Sequence, residues 1–294
     1  MKLSLILISA LFLSTSCVVE RSPFKEGKIL AGKKVSASTL NLGYTTYVEY
    51  CIQCHGMDGK GNGPAAKGLL PPPRDFTQGL YKFPWVVYGE LPHDEDFARI
   101  IREGLKGTAM LPWDISDERL DAVIQYIKTF APETWEGEDK VLGTKFPLPR
   151  DPFGDTYQHI AIEKGKKVYH VTAACTQCHR GYATSEEINA WAKEMGTTVD
   201  IGSDIYQLKP QDGEYNYKVL PPDFTYHQLR SVNTIPTIVQ RLMYGVTGSG
   251  MPGWKDVVAD EELWALAYYI QHLRDTGADL TKRNELMDKL DGQK

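Results

Sequence analysis

The sequence predicts an all-α fold in two tandem units of like design, with a loop-rich insertion in the second, and three observations predict it. The stretch "CIQCH" at residues 51–55 returns as "CTQCH" at 175–179. The chain beyond each copy repeats in outline. After the first come "LLPPPRDFT", "FARIIREGLKGTAMLPWD" and "DERLDAVIQYIKTF"; after the second come "VLPPDFT", "IVQRLMYGVTGSGMPGWKD" and "DEELWALAYYIQHLR". Each repeat closes on apolar residues at helical spacing, Leu120, Val123, Ile124 and Ile127 in one, Leu263, Leu266, Ala267 and Ile270 in the other. A period of this size marks a duplicated domain and not a solenoid. A chain of 294 residues suits two domains of modest size.

From the beginning of the chain, Lys2 precedes an apolar run from Leu3 to Leu13 and then Ser14, Thr15, Ser16 and Cys17. A charged start, an apolar stretch of secretory length and small residues read as a signal peptide over 1–16, and the run is too short for a settled bilayer span. The small residues leading into Cys17 resemble a bacterial lipobox, with Ser14 where that motif prefers leucine. The resemblance implies that Cys17 carries lipid and that residues 17–42 form a tether on the exported, periplasmic side of a membrane. Ordinary signal cleavage beside an incidental cysteine is the rival. The net charge of −5, with no basic stripe to neutralise phosphates, argues against nucleic acid as a partner.

Helical stretches are expected before each C-x-x-C-H unit, around 42–51 and 157–173, and Ser116 and Asp260 are candidate N-caps for the two closing helices. The expected division is a first domain over 43–133, a Pro-rich charged linker over 134–156 lying along both domains, a second domain over 157–278 and a C-terminal tail over 279–294. In the second domain a helix is expected from Ser185 to Met195, ending at Gly196.

An exported protein can use cysteines for disulfides, but the five here divide otherwise. Cys17 belongs to the processing site and the other four make two C-x-x-C-H units. A zinc ribbon needs its two pairs about 15–20 residues apart, whereas Cys54 and Cys175 are 175 − 54 = 121 positions apart. A thioredoxin-type pair needs a βαβ context, which is absent. Neither zinc nor disulfides account for the histidine that follows each pair. The remaining reading is covalent haem c, for which C-x-x-C-H is the attachment signature: thiols Cys51 and Cys54 on one haem, Cys175 and Cys178 on a second, with His55 and His179 as axial ligands.

On these motifs the chain resembles a diheme member of the class I cytochromes c, over about 43–131 and 157–274. The first unit also matches that family's Gly-rich loop through Gly59, Gly61, Gly63 and Pro64, and the resemblance implies that Pro64 lines the haem pocket. The resemblance implies a sixth ligand on each iron, and Met110 and Met251 hold the matching positions, each in a Gly-rich loop followed by proline and a nearby tryptophan. His/Met ligation raises the potential relative to bis-histidine. Met243 lies on an apolar helical stripe, Met57 is too near His55, and Met195 falls outside the repeat. Of the remaining histidines, His93, His159, His170, His227 and His272, none has a repeat partner at a ligand-like position, and His170 is the alternative to Met251.

The second unit lacks the Gly-rich loop. From His55 to Met110 is 55 positions and from His179 to Met251 is 72, so it carries 17 more. Much of the excess, "DIGSDIYQLKPQDGEYNYKV", is polar and turn-rich, either a docking loop or a surface embellishment. Arg74 could meet a haem propionate or an acidic neighbour at the surface. Trp113 and Trp254 recur in both repeats, covering haem edges or packing in the core.

The expected function is electron transfer between protein partners, since two six-coordinate irons leave no site for substrate. The "PPPRDFT…YKF" and "GTAMLPW" segments resemble cytochrome domains that accompany respiratory or molybdenum-enzyme complexes. The alternatives are a diheme peroxidase or related oxidoreductase with one labile iron ligand, and a subunit docked to a larger oxidoreductase.

Overall fold

The computed structural model describes residues 23–291, so the signal peptide and Cys17 lie outside the described residues. The fold is helix-rich with few strands, as expected.

An unexpected element comes first. Strands β1 (Lys28–Leu30) and β2 (Lys33–Val35) form an antiparallel hairpin around Ala31 and Gly32. Both turn residues have positive φ, the arrangement that matches the twist of a two-residue hairpin. Leu30 is fully buried, and Phe24 exchanges two hydrogen bonds with the Asn41 side chain at 3.0 and 2.9 Å. Residues 24–42, expected to be tether, are therefore packed structure. The apolar signal was there in Ile29, Leu30 and Val35, but it is too short to show a period.

Helix α1 (Ala37–Tyr50) is capped by Ser36, whose hydroxyl accepts the Thr39 N–H at 3.1 Å. The short helix α2 (Ile52–His55) holds the first motif. Then come α3 (Asp94–Glu103), α4 (Asp117–Lys128) and a single turn, α5 (Pro132–Trp135). Ser116 is the N-cap residue of α4, as expected.

Helix α6 (Gln158–Lys167) runs on into a π-helical turn, Val168–Thr172, before the second motif. Helix α7 (Ser185–Glu194) matches the expectation closely, with a Thr184–Glu187 capping box. Helices α8 (Ile235–Tyr244) and α9 (Asp260–Ala278) complete the repeat. Asp260 is not the cap of α9. Ala259 occupies that place, Glu262 accepts its N–H at 2.9 Å, and Asp260 instead meets Lys255 at 3.1 Å. The expected tail forms α10 (Leu280–Asp291), with Leu290 fully buried beside Ile188.

Buried apolar side chains gather in two large clusters and one smaller one. The first joins Leu30, Leu40, Tyr47, Val123, Ile124 and Trp135. The second joins Tyr169, Tyr182, Phe224, Val239, Leu263 and Tyr269. The same crossing organises both. In α1, a Cβ on Gly43 would stand 2.1 Å from the Ala122 carbonyl oxygen of α4; in α6, one on Gly165 would stand 2.2 Å from the Ala265 oxygen of α9. Only glycine lets the paired helices approach so closely, and that crossing fixes where each motif leaves its helix.

The linker lies along the surface of both halves. Gly143 N–H donates to the Leu91 carbonyl at 2.8 Å, Trp264 Nε1 to the Pro149 carbonyl at 3.1 Å, and Phe146 stacks on Tyr244 with centroids 5.8 Å apart. Buried Arg241 of α8 donates to the Pro84 and Phe83 carbonyls at 3.2 and 3.0 Å, with Trp85 under its guanidinium at 4.1 Å.

Candidate functional site

Each motif folds as one tight turn. Cys54 and His55 N–H both donate to the Cys51 carbonyl, at 3.2 and 2.9 Å; Cys178 and His179 both donate to the Cys175 carbonyl, at 3.2 and 2.8 Å. Residues three and four apart on such a turn share a face, so each pair of thiols and its imidazole sit together. Cys51 packs against the first core and Cys175 against the second, so the two pairs do not pool into one tetrahedral zinc site. All four cysteines are free.

The histidines are held from behind in the same way. His55 Nδ1 meets the Arg74 carbonyl at 3.0 Å, and His179 Nδ1 meets the Pro222 carbonyl at 3.5 Å. These carbonyls immediately precede the repeated D-F-T segments, 75–77 and 223–225, in which Asp75 and Asp223 each accept the N–H of the threonine two residues on, at 2.9 and 2.8 Å. Phe76 stacks on His55 at 4.5 Å and 17°, and Phe224 stacks on His179 at 5.1 Å and 17°. A carbonyl on Nδ1 fixes the tautomer and leaves Nε2 free to ligate. Burial pushes the His55 pKa down, and that of His179 down to about 4, which keeps both imidazoles in the neutral form that binds a metal. It also raises the Cys51 and Cys175 thiols to about 12.

Buried tyrosines repeat too. Tyr47 donates to the Gly56 carbonyl and Tyr169 to the Arg180 carbonyl, both at 2.8 Å, each carbonyl belonging to the residue after the histidine. From Gly43 to Tyr47 and from Gly165 to Tyr169 is the same four positions, but Tyr169 stands six before Cys175 where Tyr47 stands four before Cys51. The π-helical turn Val168–Thr172 lies within this longer stretch. It carries His170, whose Nδ1 meets the Lys166 carbonyl at 2.8 Å while Nε2 accepts the Tyr182 N–H at 3.1 Å. With both ring nitrogens engaged, His170 is not a substitute for Met251.

The methionine loops match bond for bond. Leu105 N–H donates to the Met110 carbonyl at 2.8 Å and Val246 N–H to the Met251 carbonyl at 2.9 Å. Thr108 and Ser249 hydroxyls donate to the Leu105 and Val246 carbonyls, both at 2.7 Å, and accept the methionine N–H groups at 3.1 and 3.5 Å. Trp113 N–H reaches the Ile101 carbonyl at 3.0 Å, and Trp254 N–H the Leu242 carbonyl at 2.8 Å. Gly104 and Gly245 both have positive φ, and a Cβ on either would strike the loop backbone at 2.6 and 2.4 Å.

Cys51, Cys54, His55, Met110, Phe76 and Trp113 all line one cavity. Its walls are largely apolar (Ile100, Ile101, Leu105); Arg74 and Lys82 line it too, as does Asp96, whose carboxylate accepts the Trp85 and His93 N–H groups at 2.9 and 3.0 Å. An apolar slot with thiols, an imidazole, a thioether and cations fits a flat apolar ring bearing carboxylates, the shape of haem. Trp113 is 38% exposed on the cavity wall, not core, whereas Trp254 packs against the second core. Arg74 has no acidic partner in the described residues; its guanidinium lies 3.8 Å from the Tyr215 ring centroid. Pro64 departs from expectation. It is exposed, opens a 3-10 turn and is not on the cavity wall, because Gly63 N–H closes onto the Cys54 carbonyl and turns the chain outward there.

The insertion is more than embellishment. Ile205 and Tyr215 are buried, Lys209 donates to the Thr176 carbonyl at 3.2 Å inside the second motif, and Tyr217 lines the first cavity. Sequence reasoning found the D-F-T repeats without assigning Phe76 or Phe224 a task, and it missed Lys82 and Tyr217. The repeat itself was the available signal for the phenylalanines.

Comparison with known proteins points the same way. The family described as cytochrome c oxidase, cbb3-type, subunit III matches residues 38–127. A chain of the Kuenenia stuttgartiensis reducing HAO-like protein complex is similar in structure, with a TM-score of 0.63 and 28% identity, over 79% of this chain and 95% of that one. No curated protein sequence matches. The family match supports a cytochrome c domain over residues 38–127, and with it haem c and a part in electron transfer.

Proposed function

We propose that the chain is a diheme c-type cytochrome that passes electrons between protein partners, with two haem domains joined by the 134–156 linker. One haem is held by Cys51 and Cys54 with His55 and Met110 as axial ligands, the other by Cys175 and Cys178 with His179 and Met251. The observation that carries this reading is the bond-for-bond match of the two methionine loops and the two carbonyl-held histidines. A second site built only as packing would have no reason to reproduce the loop that presents Met110. Haem, when bound, supplies a one-electron Fe(III)/Fe(II) couple. The protein's own residues hold the imidazole tautomers, supply the thioethers and exclude water with Phe76, Trp113 and Phe224.

Export through the signal peptide and a lipid anchor on Cys17 belong to the same proposal, with the packed structure beginning near Phe24. A second reading, a subunit of a larger redox complex, is favoured by the chain it resembles, which comes from such a complex.

Haem quantification tests the proposal directly. Protein matured in a haem-attaching host should carry two covalent haems per chain, and Cys54→Ala and Cys178→Ala should each remove or weaken one. Reduced protein should not bind carbon monoxide at neutral pH and should not turn over peroxide. Stoichiometric carbon monoxide binding to one haem together with peroxide turnover would move the protein to the diheme peroxidase class.

A further inference from the structure

The first cavity is not closed by its own half of the chain. Tyr217 and Arg230, both from the second half, stand on its wall beside Arg74 and Lys82. Three half-buried cations thus meet at one cavity: Arg74, Lys82 and Arg230. Burial, and then the neighbouring charges of Arg230 and Arg74, push the Lys82 pKa down to about 8, so the three heads feel one another. None of them has an ion pair among the described residues. Arg74 lies over the Tyr215 ring at 3.8 Å and Lys82 faces the same ring at 5.4 Å. Such a cluster is costly unless anions enter it.

The backbone fixes the cluster independently of its charges. The Arg230 carbonyl accepts the Lys106 N–H at 3.2 Å, inside the loop that carries Met110. Tyr215 donates through its hydroxyl to the Thr247 carbonyl, inside the loop that carries Met251, and a Cβ on Gly248 would strike its ring at 2.6 Å. The insertion therefore runs from one methionine loop to the cation cluster of the other site.

We infer that the second half of the chain completes the first haem site: Arg230, with Arg74 and Lys82, forms a three-cation seat for the two propionate carboxylates of that haem. This rests on the proposed haem at Cys51 and Cys54. Guanidinium forks match carboxylates bidentately, and Lys82 adds a point charge. The seat would link the first haem's potential to a residue far along the chain from Cys54 (230 − 54 = 176 positions). Cations around the propionates favour arrival of an electron, so removing one lowers the midpoint potential of that haem.

The test uses the full-length holoprotein and reads haem content and both midpoint potentials. Arg230→Gln should keep two covalent haems while shifting the reduction equilibrium of one by about tenfold, which is about 59 mV downward for one electron. The shifted haem should be the one that Met110→His also moves. Arg230→Lys should restore most of the shift, and Lys218→Gln, which removes an exposed cation of the same insertion, should leave both potentials in place. Should Arg230→Gln not accumulate, Lys82→Gln carries the same expectation. Two haems with both potentials unmoved in Arg230→Gln and Lys82→Gln, or movement of the haem that Met251→His affects, would overturn the seat and leave the diheme reading standing. A wild-type protein with no haem on Cys51 and Cys54 would overturn both.

Discussion

The imidazole of His55 lies nearly parallel to the ring of Phe76, centroids 4.5 Å apart, and His179 repeats the relationship with Phe224 at 5.1 Å. In each case the backbone two residues before the phenylalanine supplies the carbonyl that meets Nδ1. One short segment therefore sets both the tautomer and the plane of the ring. Phe76→Ala and Phe224→Ala should each cost about 3–5 kcal/mol in stability, and each should broaden or shift the low-spin signal of one haem only. Chemical denaturation with electron paramagnetic resonance on the same samples checks both effects.

Gly43 and Gly165 give a prediction with an inverted sign. Alanine is normally better than glycine inside a helix by about 1 kcal/mol. Here the new methyl would stand 2.1 or 2.2 Å from a carbonyl oxygen of the crossing helix, which cannot yield without parting α1 from α4 or α6 from α9. Gly43→Ala and Gly165→Ala should destabilise by about 1–3 kcal/mol or more. Gly196→Ala, strained in φ but facing open space, should cost only about 1 kcal/mol. Denaturant midpoints of the three variants rank these effects, and a neutral Gly43→Ala would refute the close crossing.

The methionines should separate by site. Met110→His should lower one midpoint potential and Met251→His the other, because imidazole stabilises Fe(III) relative to thioether. Each should also remove about half of the near-infrared sulfur–iron charge-transfer intensity. Equal loss from both variants is expected because the two loops share their hydrogen bonds; a silent Met251→His would show that the second loop does not reach its iron.

Arg241 holds the two halves through uncharged groups. Its guanidinium donates to the Pro84, Phe83 and Gly245 carbonyls and lies over Trp85. Arg241→Met keeps much of the volume but leaves three buried carbonyls without that donor, so a loss of about 2–4 kcal/mol is expected. Arg241→Lys should recover only part, since one ammonium cannot span the fork. Thermal melts read the order wild type, lysine, methionine.

Much of the repeat was legible in the sequence because its signals are local. Spacing within C-x-x-C-H, the helical stripes ending at Ile127 and Ile270, and the Ser185–Met195 helix are properties of neighbouring residues. The hairpin at 28–35 was not legible, since three-residue strands carry no period and owe their place to Leu30 filling the first core. Nor was the cation cluster, whose members at 74, 82 and 230 are joined only by the tertiary fold. Family resemblance puts Pro64 on the pocket, and the Gly63 bond to Cys54 turns it outward instead.

His170 provides the last prediction, and it concerns pH. The ring is fully buried among Tyr169, Trp191 and Tyr269, and both nitrogens are engaged in the neutral form. Burial, opposed by the Lys166 carbonyl and the Glu187 charge, brings its pKa down from 6.5 to about 4. A proton on Nε2 would face the Tyr182 N–H head on. An imidazole with a depressed folded pKa gives stability that is complete above about pH 6.5. That stability is lost as pH falls toward 4, because the unfolded chain takes up a proton that the folded chain refuses. The distance between those two pKa values corresponds to roughly 3 kcal/mol at most. His170→Gln cannot titrate, so it should be less stable at pH 7 yet lose less than the wild type between pH 6.5 and 4.5. Urea midpoints at four pH values in that window measure the difference in slope. Identical slopes for the two proteins would mean that the fold leaves the His170 pKa unshifted, and would overturn the assignment of acid sensitivity to this buried ring.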